Sequence, residues 1–267
     1  MYAFPRGRGA MIFQGMNPRS VVTLALFAVA ACSPARSTTA SATPVPAAAP
    51  TAAPVASDSL PNDVKWVRTS AEYRALTLQA YAIAGDRLPE LAKGLSAQSW
   101  GVILDVDETV LDNSEHQRRL AVSHAPYDPK AWSAWVSERA ATAIAGATEF
   151  AKLVHSLGGR VVVVTNRSMA ECNPTKENLR SVGFDADLVL CMPPNEGNKN
   201  FRFERVQNGT ASPGMPALTV VEWVGDNIQD FPKLTQAART DSTALAQFGR
   251  KYFIIPNPMY GSWERVH

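Results

Sequence analysis

The chain has 267 residues, 46% hydrophobic and 19% charged, which supports one large domain or two small ones and is ordinary for a globular chain with a real core. Its formal charge of +2 comes from Arg6, Arg8 and Arg19, since the first 31 residues hold no Asp or Glu and the remainder carries 23 basic side chains against 24 acidic ones. A near-neutral body of this kind speaks against a nucleic-acid polymer as partner.

In chain order, Arg19 precedes the apolar run 21–31, which is too short to span a bilayer and suits a signal-peptide core. Residues 1–31 are therefore expected to direct export, with Met11 and Met16 as alternative starts. The run closes on Val29-Ala30-Ala31-Cys32, and small residues directly before a cysteine resemble a bacterial lipobox. On that reading Cys32 carries the lipid anchor, and Ser33 after it points to outer-membrane sorting in a Gram-negative envelope, at the outer membrane or its periplasmic face. An ordinary signal peptide with a chance cysteine is the alternative. Residues 32–58 are almost entirely Ala, Pro, Ser, Thr and Val, the composition of an extended linker. The folded domain is expected over 59–267.

Helical spacing runs over 66–95, with Ala71, Ala75, Leu78, Ala82 and Ile83 on one apolar side. The apolar run 102–104 then ends on Asp105, with Asp107 two positions further on. Such a run reads as a buried parallel strand, and in open α/β sheets the chemistry lies beyond the carboxyl ends of the strands. Side chains two apart on extended chain point the same way, so Asp105 and Asp107 are expected in one crevice. Two carboxylates there require a cation, a shared proton or a catalytic task.

Residues 114–145 are polar and Ala-rich, with Trp132 and Trp135 on one helical face, and predict a small helical cap over the crevice. The two tryptophans are read as packing anchors. Alternation follows: helix 147–157, strand 161–164, helix 175–182, strand 188–190, helix 201–208, strand 218–224 and strand 252–255. This pattern predicts an α/β fold, a Rossmann-like parallel sheet with helices on both faces. Four apolar runs open directly into polar clusters, Asp105/Asp107, Thr165/Asn166, Asp226/Asp230 and Asn257/Tyr260, which a parallel sheet gathers on one edge. Cys172 and Cys191 form an even pair in an exported chain, read equally as a disulfide or as two buried thiols.

Four segments, Asp105-Val106-Asp107-Glu108-Thr109, Thr165-Asn166-Arg167, Lys199 with Asn200-Phe201-Arg202, and Gly225-Asp226-Asn227-Ile228-Gln229-Asp230, resemble the ordered motifs of the haloacid-dehalogenase-like (HAD) phosphatases. Asp112-Asn113-Ser114, Ser70-Ala71-Glu72-Tyr73 and the tail 256–264 resemble more narrowly the class C (subfamily IIIB) bacterial acid phosphatases, typically lipoproteins. The resemblance runs from about residue 60 to the end. It departs from the family's pattern at Ala145, where a proline often stands, and in a longer loop over 209–217.

That resemblance implies a Mg²⁺-dependent acid phosphatase acting on small phosphomonoesters, with a membrane reached only through the lipid anchor. Asp105 is the expected nucleophile, forming an aspartyl-phosphate, and Asp107 the general acid and base. Thr165, Asn166 and Lys199 are expected on the phosphate. Asp105, Asp226, Asp230 and the backbone carbonyl of Asp107 offer oxygen ligands suited to Mg²⁺, with Asp226 a direct ligand and Asp230 either a ligand or a support behind one. Tyr260 is expected to line the pocket and stack on a nucleobase, which would admit nucleoside monophosphates. The Asn-rich setting of Lys199 predicts exposure, and Arg167 reads equally as a phosphate contact or an ion-pair partner. An acidic optimum is expected, because Asp107 must carry a proton to act as an acid. The alternative is a catalytically silent, membrane-tethered ligand-binding lipoprotein on the same fold, but binding alone needs no nucleophile. A histidine-based phosphatase is disfavoured by the lack of Arg-His-Gly, and a two-metal phosphoesterase by the lack of ligand spacing among His116, His124, His155 and His267.

Overall fold

The structure, a computed structural model, describes residues 60–266. The expected signal peptide, the anchor at Cys32 and the linker lie outside those residues. No helix among the described residues is long and apolar enough to cross a membrane.

In chain order the strands are β1 (Trp100–Leu104), β2 (Leu111–Asp112), β3 (Thr142–Ala143), β4 (Arg160–Ser168), β5 (Leu188–Met192), β6 (Thr219–Gly225) and β7 (Tyr252–Ile254). The main helices are α1 (Asn62–Thr69), α2 (Ala71–Leu91), α3 (Ser114–Ser123), α4 (Pro129–Glu138), α5 (Ala147–Ser156), α6 (Cys172–Ser181) and α7 (Asn200–Gln207). Five strands form one parallel sheet in the order β5-β4-β1-β6-β7. The chain winds outward from β1 through β4 to β5, then returns to the other side for β6 and β7. The mouth of β1 is therefore the switch point where an open α/β sheet forms its crevice.

The apolar runs are continuous because both faces of the sheet are covered. Val102, Leu104, Val161 and Val163 face α2 and α5, where Tyr81, Leu88, Phe150 and Val154 close one core. Ile103, Val162, Val164 and Trp223 face the other way, onto Phe203 and Val206 of α7 and Phe231. The cap is an insertion between β1 and β4. Its two ends are joined by the short antiparallel β2–β3 ladder, which pairs Leu111 with Ala143 and Asp112 with Thr142.

Three boundaries differ from the sequence reading. The helix expected over 66–95 is two helices, since Ser70 turns extended and its hydroxyl accepts from the Tyr73 N–H at 3.0 Å, capping α2. Strand β4 runs on through Asn166 and Arg167 to Ser168, held by a second register with β5 in which Ser168 pairs with Met192. The helix expected from 175 already starts at Cys172. Cys172 and Cys191 are joined as a disulfide, with Cα atoms 5.8 Å apart.

Candidate active site

Asp105 directly follows β1, and its N–H donates to the Val224 carbonyl at 3.0 Å, so a bond to β6 holds its backbone. Its carboxylate is buried and accepts from Lys199 Nζ at 2.5 Å. The same ammonium reaches Asp230 Oδ1 at 2.6 Å. Lys199 is therefore buried rather than exposed as its Asn-rich surroundings suggest, because it stands at the entry of α7 and points inward across the sheet edge. Asp105, Asp226 and Asp230 each bring one carboxylate oxygen within 4.8 Å of the others.

The β6 end shapes the other half of that cluster. Asp226 accepts from the Thr109 hydroxyl at 3.3 Å and from Asn257 Nδ2 at 2.8 Å. Asp230 accepts the Asn227 N–H at 2.9 Å. A Cβ on Gly225 would fall 2.3 Å from the Asp230 Cβ and 2.5 Å from its Oδ2, so glycine alone lets Asp230 lie against the strand end. Burial, together with Asp230 and Asp105, pushes the Asp226 carboxyl well above the usual carboxylate range. Burial raises Asp105 to about 7, with Lys199 pulling the other way and Asp230 and Asp107 adding to the rise. Burial works against the Lys199 ammonium, but Asp105 and Asp230 outweigh it and hold its pKa above the ordinary lysine value. When its carboxyls are ionised the cluster holds more negative charge than one lysine compensates, on three hard oxygen donors. That donor chemistry fits a divalent cation such as Mg²⁺.

Asp107 has a different environment. Its Oδ1 accepts three donors: Arg167 Nε at 2.9 Å, Arg167 Nη2 at 2.7 Å and Asn113 Nδ2 at 2.9 Å. Arg167 is buried, lies 5.4 Å over the Trp132 ring and also donates to Asn113 Oδ1 at 3.2 Å. It is thus the ion-pair partner of Asp107. Asn113 Oδ1 further accepts Trp135 Nε1 at 2.8 Å, which ties the cap to the Asp107 loop. Glu108 supports the same loop in a left-handed conformation (φ 54°), its buried carboxyl accepting the Asn113 N–H at 2.8 Å. Burial, with Asp107 and Asp226 nearby, holds Glu108 well above the ordinary glutamate range.

Asp107, Asn166, Trp132, Tyr127 and Tyr260 share the wall of a cavity of about 930 Å³ between the cap and the C-terminal tail. The Thr165 hydroxyl is buried and accepts the Arg167 N–H at 3.1 Å, so its proton is available to another acceptor. The structure therefore brings Asp105, Asp226, Asp230 and Lys199 into one cluster, with Asp107, Asn166 and Tyr260 around the adjoining cavity. The Asp107 side chain is outside the three-carboxylate cluster. Sequence reasoning assigned no role to Glu108 or Arg202. Arg202 follows Lys199 by one helical turn, but nothing in the sequence marks it as buried.

The family described as HAD superfamily, subfamily IIIB (acid phosphatase), matches residues 23–263. This chain belongs to that family. Its fold is similar to the class C acid phosphatase from Bacillus anthracis, at 34% identity and a TM-score of 0.68 over 76% of this chain and 85% of that one. The tungstate-bound form of the same class C enzyme gives 33% identity and a TM-score of 0.67 over the same shares. Acid phosphatase 1 of Solanum lycopersicum is 29% identical over 166 residues, covering 59% of this chain. That match spans 57% of the tomato protein, less than two thirds of its length. The four segments singled out in the sequence lie at the polar edge built by the ends of β1, β4 and β6 and at the entry of α7.

Proposed function

We propose that this chain is a Mg²⁺-dependent acid phosphatase that hydrolyses small phosphomonoesters through an aspartyl-phosphate on Asp105. The observation that carries this reading is the placement of Asp105 between a buried lysine and two further carboxylates, with Asp107 opposite at the wall of an open cavity. Asp105, Asp226 and Asp230 would hold the cation. Bound there, it would offset the repulsion between an anionic nucleophile and an anionic ester.

The chain's own residues divide the rest of the work. An Asp105 carboxylate oxygen bonds to phosphorus as the ester P–O bond breaks, and Asp107 gives the departing alkoxide its proton. Asp107 then takes a proton from water, whose oxygen bonds to phosphorus as the Asp105 P–O bond breaks, releasing inorganic phosphate. Lys199, the Thr165 hydroxyl and the Asn166 amide supply fixed donors to the phosphoryl oxygens. The aromatic walls of the cavity, Tyr260 among them, suit a planar leaving group, which supports nucleoside monophosphates as substrates.

We also infer export and a lipid anchor at Cys32, at the outer membrane or the periplasmic face of a bacterial envelope. The disulfide between Cys172 and Cys191 supports an oxidising compartment.

The test is phosphate release from a nucleoside 5′-monophosphate and from an aryl phosphate, with Mg²⁺ and with EDTA. Release that requires metal and falls off above neutral pH is expected. A folded chain with no metal-dependent turnover on either ester, or a rate flat or rising through pH 8, counts against the respective part of the reading.

A further inference from the structure

Arg202 is fully buried on α7 and neither touches the carboxylate cluster nor lines the cavity. Its guanidinium spreads over the end of β4. Nη1 donates to the Thr165 carbonyl, and Nη2 donates to Asn166 Oδ1 at 2.5 Å and to the Glu196 carbonyl at 3.3 Å. Among the described residues its carboxylate partner is Glu196, which stands 3.4 Å from Nε and is shared with Arg205 at 2.7 Å. A buried arginine is costly unless its donors are matched. Here most of the matching is spent on two oxygens of one dipeptide, Thr165-Asn166.

That choice of acceptors has a directional effect. A side-chain amide has two ends of opposite sense: its oxygen repels a phosphate oxygen and its NH₂ attracts one. Arg202 occupies the Asn166 oxygen, which leaves Nδ2 as the end free for another acceptor. Asn166 lies where two cavities meet, the cleft that holds Asp107 and Tyr260 and a neighbouring space of about 440 Å³ walled by Lys199 and Lys233. Without the guanidinium, either end of the amide could turn toward an anion.

Building on the phosphatase reading, we propose that Arg202 is a positioning residue for phosphate binding: its fork, anchored on the Thr165 carbonyl, locks the Asn166 amide with the donor toward the oxyanion. α7 then has two tasks one turn apart. Lys199 delivers charge to the cluster, and Arg202 sets the polarity of the loop that faces it.

The experiment measures the Kd of inorganic phosphate by calorimetry, with kcat and KM on an aryl phosphate, for the wild-type chain, Arg202→Lys, Asn166→Ala and the double variant, all with Mg²⁺. Lysine keeps the charge but lacks the planar fork that holds two oxygens at once. Arg202→Lys is expected to weaken phosphate binding by about tenfold or more, the loss typical of one hydrogen bond to a charged group. KM should rise more than kcat falls. The double variant should bind no more weakly than Asn166→Ala alone, because the two residues act through one amide.

Phosphate affinity unchanged in Arg202→Lys, or losses that multiply in the double variant, would overturn the proposal. Arg202→Gln serves if the lysine variant fails to fold. If neither folds while Asn166→Ala does, Arg202 is a folding residue only and the proposal is likewise overturned. Phosphate binding needs no turnover, so a wild-type chain that binds phosphate but hydrolyses no ester sinks the proposed function and leaves this comparison readable.

Discussion

Asp105 and Asp107 are two residues apart in one loop, yet the protein gives them opposite surroundings. Asp105 sits among buried acids on the β6 side, where Lys199 is its one close cation and burial pushes its carboxyl upward. Asp107 sits on the cap side, where three donors converge on a single oxygen and Arg167 supplies the charge. The first arrangement asks for another cation. The second holds a carboxylate in one orientation at the wall of the cavity. The difference teaches that identical side chains acquire different chemistry from what stands behind them, a β6 strand end in one case and a cap-anchored network in the other.

The largest break in that comparison is Asp105→Asn. It removes the proposed nucleophile but keeps the shape, so turnover should fall by about a thousandfold or more while the melting temperature stays near the wild-type value. Appreciable residual turnover under burst conditions would move the covalent role elsewhere.

Gly225→Ala attacks the metal side alone. Its Cβ would overlap Asp230, so the carboxylate must move; overpacking costs about 1–3 kcal/mol of stability. The Mg²⁺ concentration for half-maximal rate should rise by about tenfold, and an unchanged metal titration would remove Asp230 from the cation site.

Trp135→Phe attacks the cap side alone. It deletes the N–H that Asn113 accepts at 2.8 Å, which should cost about 1–2 kcal/mol of stability and reduce kcat severalfold. The metal titration should not shift, and a shift would mean the two halves are not separable.

A third carboxyl on β6 serves as the control. Glu222 is fully buried, neither of its oxygens has a hydrogen-bond partner among the described residues, and burial pushes it up to about 9 against the opposing pull of Arg87. Its folded pKa is raised, so its stabilising contribution is complete below the ordinary glutamate value near 4.5 and is lost as pH rises toward 9. Glu222→Gln should therefore melt above the wild type at pH 8 and beside it at pH 4, with activity at acidic pH unchanged. Parallel melting curves at both pH values would show that Glu222 does not titrate with folding.

Much of this was legible in the chain. Apolar runs that end abruptly on polar residues mark parallel strands and their functional edge together, and four such ends converge as expected. The helix break at Ser70 was hidden, because helical spacing runs straight through it and only the cap to Tyr73 decides it. The extension of β4 to Ser168 depends on a pairing with Met192 that no local pattern encodes. Arg202 looks like any arginine on a short polar helix; its burial follows from how α7 meets the end of β4. The pairing of Arg167 with Asp107 likewise depends on bringing two strand ends together, since 60 residues separate the partners.

The β2–β3 ladder has a consequence for how such a protein can change. Two residues at the start of the cap insertion are stitched to two at its end, so the chain leaves the catalytic body and re-enters it at one point. Segments whose ends lie side by side tolerate exchange of what lies between them. A lineage could therefore remodel the roof that greets the leaving group, helix by helix, while the strand ends that handle phosphorus stay as they are.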